Sequence, residues 1–342
     1  MSIRRIPVAI LIALAMTGIA AAGAQGTERA TVVTTRHFAF YDDLATNLND
    51  ALIQAGTARR ASRPELFQAG SDSTCFSRLP PSVRTAWNRA VDYYAEIISP
   101  ADWIARQQYL LRVDLAGFPE EVKDSSGRQF VAIARAFREA AAPAYQACRW
   151  EAQSAQNRQA IGEMRALLAL HEEKITALLE RHYRNRWNGP VRADMVETAG
   201  WSGANSIGVP RGGAHILVSS REYRGLPALE IVFHEGSHIL MNQTSPVQAA
   251  IDSAARVAGI RMPDGLWHAV LFYITGETVR TVLAEAGTAG YTPMIFEIFG
   301  RSPWGAHRTA IEHSWQPYLE GKRTLSQAAA DFVSAVRATL PR

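Results

Sequence analysis

Between Leu229 and Leu240 the chain reads LEIVFHEGSHIL, and this run constrains the fold more than any other stretch. His234 and His238 are four residues apart, so on a helix both imidazoles lie on one face, one turn apart. Two ring nitrogens so placed reach one tetrahedral ion at about 2.0–2.1 Å. Glu235 points to the side of the pair, where its carboxylate can take a proton from a water held by the ion. Val232, Phe233, Gly236, Ser237, Ile239 and Leu240 are all uncharged, as a buried helix requires. A core helix with two satisfied histidines and a buried glutamate is the bland alternative. It must bury three polar groups with no ion to compensate them, which is costly.

The rest of the chain predicts helices around this run. A short strand is expected within Thr31–Tyr41, capped by Asp42 or Asp43 into a helix reaching about Gln54. Thr57 to Ser82, rich in Ser, Arg, Pro and Gly, reads as a long connection. Pro80-Pro81 opens a helix, Pro100 ends it, and another runs from Ala101 to Leu115. From Arg128 to Tyr183 the pattern is helical, with a bend at Pro143. Trp87, Tyr93, Tyr94, Trp103 and Trp150 read as core aromatics. Beyond Trp187 the texture changes: Val191–Glu197 and Ala214–Ser219 resemble strands, with a turn over Gly200–Asn205 and a tight connection at Gly212-Gly213. Helices are then expected at Pro227–Met241, Pro246–Ala258, Gly265–Ala286, Trp304–Tyr318 and Leu325–Leu340. The expected class is α+β, predominantly α-helical, with a small sheet beside the histidine helix. A leader over 1–24, a mainly helical region over 25–190 and a metal-binding region over 191–342 complete the outline.

The leader reading rests on Arg4-Arg5, the apolar stretch Ile6–Met16 and Ala22-Gly23-Ala24, an A-x-A cleavage pattern before Gln25. The apolar stretch is short of the roughly 20 residues that span a bilayer. An exported, secreted or periplasmic protein with no membrane anchor after processing is expected. Two cysteines, Cys75 and Cys148, fall in the exported part, and in an oxidising compartment an even count favours a disulfide over two buried thiols. The formal charge of +4 in 342 residues drops by two if Arg4 and Arg5 are removed. No basic run with interleaved aromatics is present, so nucleic-acid binding is not expected.

The HExxH run and its helical surroundings resemble the zincin metallopeptidases. The stretch after His238 lacks the glycine and third histidine of metzincins and is more similar to gluzincins, whose third ligand is a glutamate on a later helix. The chain also resembles a group of bacterial secreted proteins carrying HE-x-S-H and then W-H-x-x-x-F-Y-x-x-G-E, matched by Trp267-His268 through Phe272-Tyr273 to Gly276-Glu277. The resemblance implies a zinc site in which Glu277 joins His234 and His238. His268 is the alternative third ligand, and Asp252, Asp264, Glu285 and Glu297 are outside candidates. Both Glu277 and His268 lie on a helix apolar on nearly every side, so each needs a partner. Nine residues separate them, which puts them on opposite faces unless the helix breaks at Gly276.

Glu230, one turn before His234, is expected either to orient a ligand or to cap the helix start. Tyr273 is a candidate neighbour of the site. His313 and Tyr318, with His307 behind them, are candidate donors to a developing oxyanion. The function expected is a secreted zinc-dependent peptidase acting on a peptide or protein, with Glu235 as general base. The alternative is an inactive zincin-like scaffold that binds a protein or cell-envelope partner.

Overall fold

The computed structural model describes residues 31–68, 70–99, 106–209 and 213–340. The leader through Ala24, the expected mature start at Gln25, Trp103 and Gly212 lie outside the described residues.

The protein is α+β and predominantly helical, with one five-stranded sheet. Its strands are β1 (Val33–Thr34), β2 (Phe38–Tyr41), β3 (Val191–Val196), β4 (Ala204–Val209) and β5 (Gly213–Ser219), in the order β1-β2-β3-β5-β4. The pairs β2–β3 and β3–β5 are parallel, whereas β1–β2 and β4–β5 are antiparallel. The period of two is plain in β2, where Phe38 and Phe40 are buried and Ala39 and Tyr41 are half-buried. The turn expected over Gly200–Asn205 is corrected: Asn205 already belongs to β4. The residues of β4, ANSIGV, have weak strand preference, and its register against β5 supplies the pairing that local propensity does not.

The helices before the sheet's third strand are α1 (Leu44–Arg60), α2 (Gly70–Arg78), α3 (Pro81–Tyr93), α4 (Arg106–Leu115), α5 (Ser125–Tyr145) and α6 (Glu151–Tyr183). Asp43 caps α1 by accepting from the Thr46 N–H. The long connection expected over Thr57–Ser82 instead holds the end of α1 and all of α2. The disulfide Cys75–Cys148 and the ion pair Asp72–Arg149 fasten α2 to the π turn Gln146–Trp150. These contacts are remote in sequence and invisible to local periodicity. Leu48, Leu52, Trp87, Val91, Tyr94 and Tyr145 form a core among α1, α3 and α5, with Tyr93 and Trp150 half-buried against it.

After β5 come α7 (Gly225–Ser237), α8 (Pro246–Ala258), α9 (Leu266–Glu285), α10 (Ile295–Arg301), α11 (Arg308–Leu319) and α12 (Leu325–Thr339). Pro227 falls in the first turn of α7, where a missing N–H costs nothing. The expected helix from Trp304 splits into a 3-10 turn, Pro303–His307, and α11. One large core joins α6, α7 and α9 to one sheet face through Met164, Leu168, Ile216, Val218, Leu229, Phe233 and Ile274. On the other face Arg112 of α4 donates to the His215 carbonyl at 2.7 Å, His215 Nε2 lies 2.8 Å from Asp194, and Arg192 donates to Asp194. Both the sheet and this network cross residue 190.

Gly236, inside the HExxH run, is fixed by Trp187. A Cβ there would lie 2.4 Å from Cη2 of that indole, which Phe38 and Phe233 hold edge-on. Gly236→Ala is expected to cost about 1–3 kcal/mol of overpacking, seen as a lower melting temperature by calorimetry. Adding Trp187→Phe should restore part of the loss; full stability of the single variant would contradict this packing.

Candidate metal centre

Helices α7 and α9 run antiparallel, and their contacts recur turn by turn. Glu230 meets Gly276, the His234 ring stacks on Phe272 with centroids 3.4 Å apart, and His238 meets Trp267 and His268. Steps of four residues on each helix keep these pairs on the facing sides. The register brings His268, from the first turn of α9, to the pair on α7.

One ring nitrogen from each of His234, His238 and His268 lies within 4.8 Å of the other two. His234 Nε2 and His268 Nε2 are 3.0 Å apart. Nitrogens bound tetrahedrally at about 2.0–2.1 Å would stand roughly 3.3 Å from one another, so small side-chain shifts suffice to share an ion. All three rings favour the neutral, ligating form. Burial lowers His234 well below its ordinary value, helped by the neighbouring His268 and His238. Burial likewise lowers His238 to about 3 and His268 to about 4. One buried and two half-buried imidazoles, each favouring the neutral form and with a nitrogen close to the other two, fit a metal ion.

Glu235 is buried, with Oε2 3.9 Å from His238 Nε2. Burial raises its pKa to about 7, opposed by a hydrogen bond with Ser206 and the charge of Arg112. Ser206 lies on β4, so an edge strand of the sheet contributes to the surroundings of the acid. Around the histidines stand aromatic rings: Trp304 is edge-on to His268 at 5.4 Å, and Trp267, 39% exposed, is edge-on to His238 at 5.8 Å.

The first expectation for the third ligand, Glu277, is corrected by the run of α9. The helix continues through Gly276, so Glu277 lies about half a turn around from His268 and roughly 13 Å further along. Its carboxylate is buried and accepts from Arg280 at 3.0 and 3.1 Å. His313 lies with it in a separate cavity that also includes Tyr273. Tyr318 donates to the His182 carbonyl at 2.6 Å, and His307 is near Thr339. None of these expected donors is in the histidine cluster. Glu230 neither orients a histidine nor caps α7: it accepts from the Tyr291 hydroxyl at 2.6 Å and the Met294 N–H at 3.1 Å. Ser206 and Trp304 escaped the sequence reading. The strand carrying Ser206 has no clear alternation, and nothing local marks an indole that packs on a histidine 36 residues earlier.

Metal content separates the two ligand sets. His268→Ala should remove most bound divalent metal, whereas Glu277→Ala should keep it; elemental analysis of purified protein decides, and the reverse pattern would return the role to Glu277. Chelation should also lower the melting temperature of the wild type, because the folded state alone assembles the site. Comparison with protein-family models, curated proteins and solved structures finds no match for this chain.

Proposed function

We propose that the protein is a zinc-dependent hydrolase that cleaves peptide bonds outside the cytoplasm, in the manner of the zincin metallopeptidases it resembles. The observation that carries this reading is the joint geometry of three clustered imidazoles, one buried and two half-buried, and a buried glutamate beside them. Three nitrogen ligands with a position left for water are the pattern of catalytic zinc. When bound, zinc supplies a Lewis acid that activates water and polarises a carbonyl.

The chain's own groups then do the following. Glu235, with a pKa near 7 and a hydrogen bond to Ser206, accepts the proton of the attacking water and returns it to the leaving amine. Its apolar surroundings exclude bulk water and keep the carboxylate able to work in both directions near neutrality. Strand β4 is one edge of the sheet among the described residues, and its nearness to Glu235 through Ser206 suits an extended peptide adding to that edge. The disulfide supports an oxidising compartment.

Glu235→Gln keeps the three histidines and removes the base. It should retain zinc while hydrolysis of a mixed fluorogenic peptide library falls by about 10²–10⁴-fold. Unchanged turnover in that variant would refute the mechanism. A fully stable wild type that takes up no zinc would instead favour a scaffold that binds a partner.

A further inference from the structure

On the side of α9 away from His268 lies a cavity of about 670 Å³, lined by Tyr273, Glu277, Arg280, Tyr291, Phe296 and Gln316 among others. We infer that it is a second binding site, distinct from the metal centre, for a molecule that joins a carboxylate to a large apolar or aromatic body.

The size falls within the roughly 300–1,000 Å³ of small-molecule sites. Three aromatic rings shape the walls, with Tyr273 and Phe296 edge-to-face at 6.3 Å. Most of the polar groups are already committed within the protein. The Tyr273 hydroxyl donates to Gln316, the Tyr291 hydroxyl donates to Glu230, and both oxygens of Glu277 accept from Arg280. Glu312 accepts from Arg308, whose guanidinium lies 5.0 Å above Phe296. Each acid at the cavity thus has its own arginine, and an incoming carboxylate meets no uncompensated negative charge.

Arg280 is the charged group at the cavity with donors to spare. Its bonds to Glu277 come from Nε and Nη2, and Nη1 makes no hydrogen bond among the described residues. The Arg280 side chain is 40% exposed, while the carboxylate that holds it is 4% exposed. A guanidinium that lines an aromatic cavity, is held by a buried acid and keeps Nη1 without a hydrogen bond among the described residues is organised in advance to bind a carboxylate. With both acids paired, the free donor of Arg280 is what selects the ligand, and a cationic or purely apolar molecule would leave it without a partner. Peptide C-termini and free aryl acids share the chemistry that fits.

The probe is N-acetyl-L-phenylalanine, titrated calorimetrically into the intact protein with EDTA present so that the carboxylate cannot ligate a metal. Saturable one-to-one binding is expected, at least tenfold weaker for N-acetylphenylalanine amide. Phe296→Ala should weaken binding at least tenfold and leaves the Glu277–Arg280 pair in place. Arg280→Gln, combined with Glu277→Gln so that no buried acid is orphaned, should abolish the preference for acid over amide. His268→Ala should change nothing. A peptide ending in phenylalanine that binds more tightly than the blocked amino acid assigns the site to peptide ends; the opposite order assigns it to free acids, and either supports the site. No saturable binding, equal affinity for acid and amide, or loss of binding in His268→Ala would each overturn it.

Discussion

Where α7 passes α9, Gly276 offers bare backbone, and the space a side chain would take is filled by Glu230 and Pro293. A Cβ at Gly276 would stand 3.0 Å from the Glu230 carboxylate and 2.7 Å from Pro293. That carboxylate is fully buried, and burial raises its pKa to about 7 against the hydrogen bonds from Tyr291 and Met294. Its hydrogen bonds come from the segment after α9, so what joins α7 to α9 here is the close approach that Gly276 permits. With the helices this close, the next two turns of the same facing sides bring His234 to Phe272 and His238 to His268. The metal centre lies two turns along the same helix contact.

Much of this was legible in the sequence, because strong periodicity and a chemical motif coincide. The helices α8 over Pro246–Ala258 and the apolar α9 are found where the pattern puts them, whereas the helix expected over Pro227–Met241 starts at Gly225 and ends at Ser237, with His238 as its C-cap. The Cys75–Cys148 bond is formed as expected. The choice between Glu277 and His268 was not legible, since it turns on whether α9 breaks at Gly276. Glycine permits a break, but here it permits a close approach instead, and only the neighbouring helix reveals which. The polar edge strand β4 and the short α10 lack any local signal, and their positions depend on partners supplied by the tertiary fold.

The sheet has one chemically quiet face and one charged face. Against α6 and α7 it presents Ala193, Met195, Ile216 and Val218. On the reverse, Asp194 and His215 are fully buried with Arg192 and Arg112 around them. Charges so placed are tolerated only when each has a partner. Loss of Arg112 would expose that requirement at once. Since Arg112 also acts on Glu235 through its charge, the helical first half of the chain contributes to the electrostatics of the centre without touching it.

Pairing of Phe38 with Val191 and of Tyr41 with Asp194 makes everything between β2 and β3 a single closed excursion. In a chain delivered from its N-terminus, β2 emerges long before its partner and leaves Phe38 and Phe40 without their cover. The excursion has its own aromatic core and its own crosslink, so it can condense from local contacts while β2 waits. Pairing β2 with β3 is the non-local step, of the kind that forms slowly. Until it forms, β2 has only the two-residue β1 beside it and an open edge on its other side, the kind of edge on which aggregation starts.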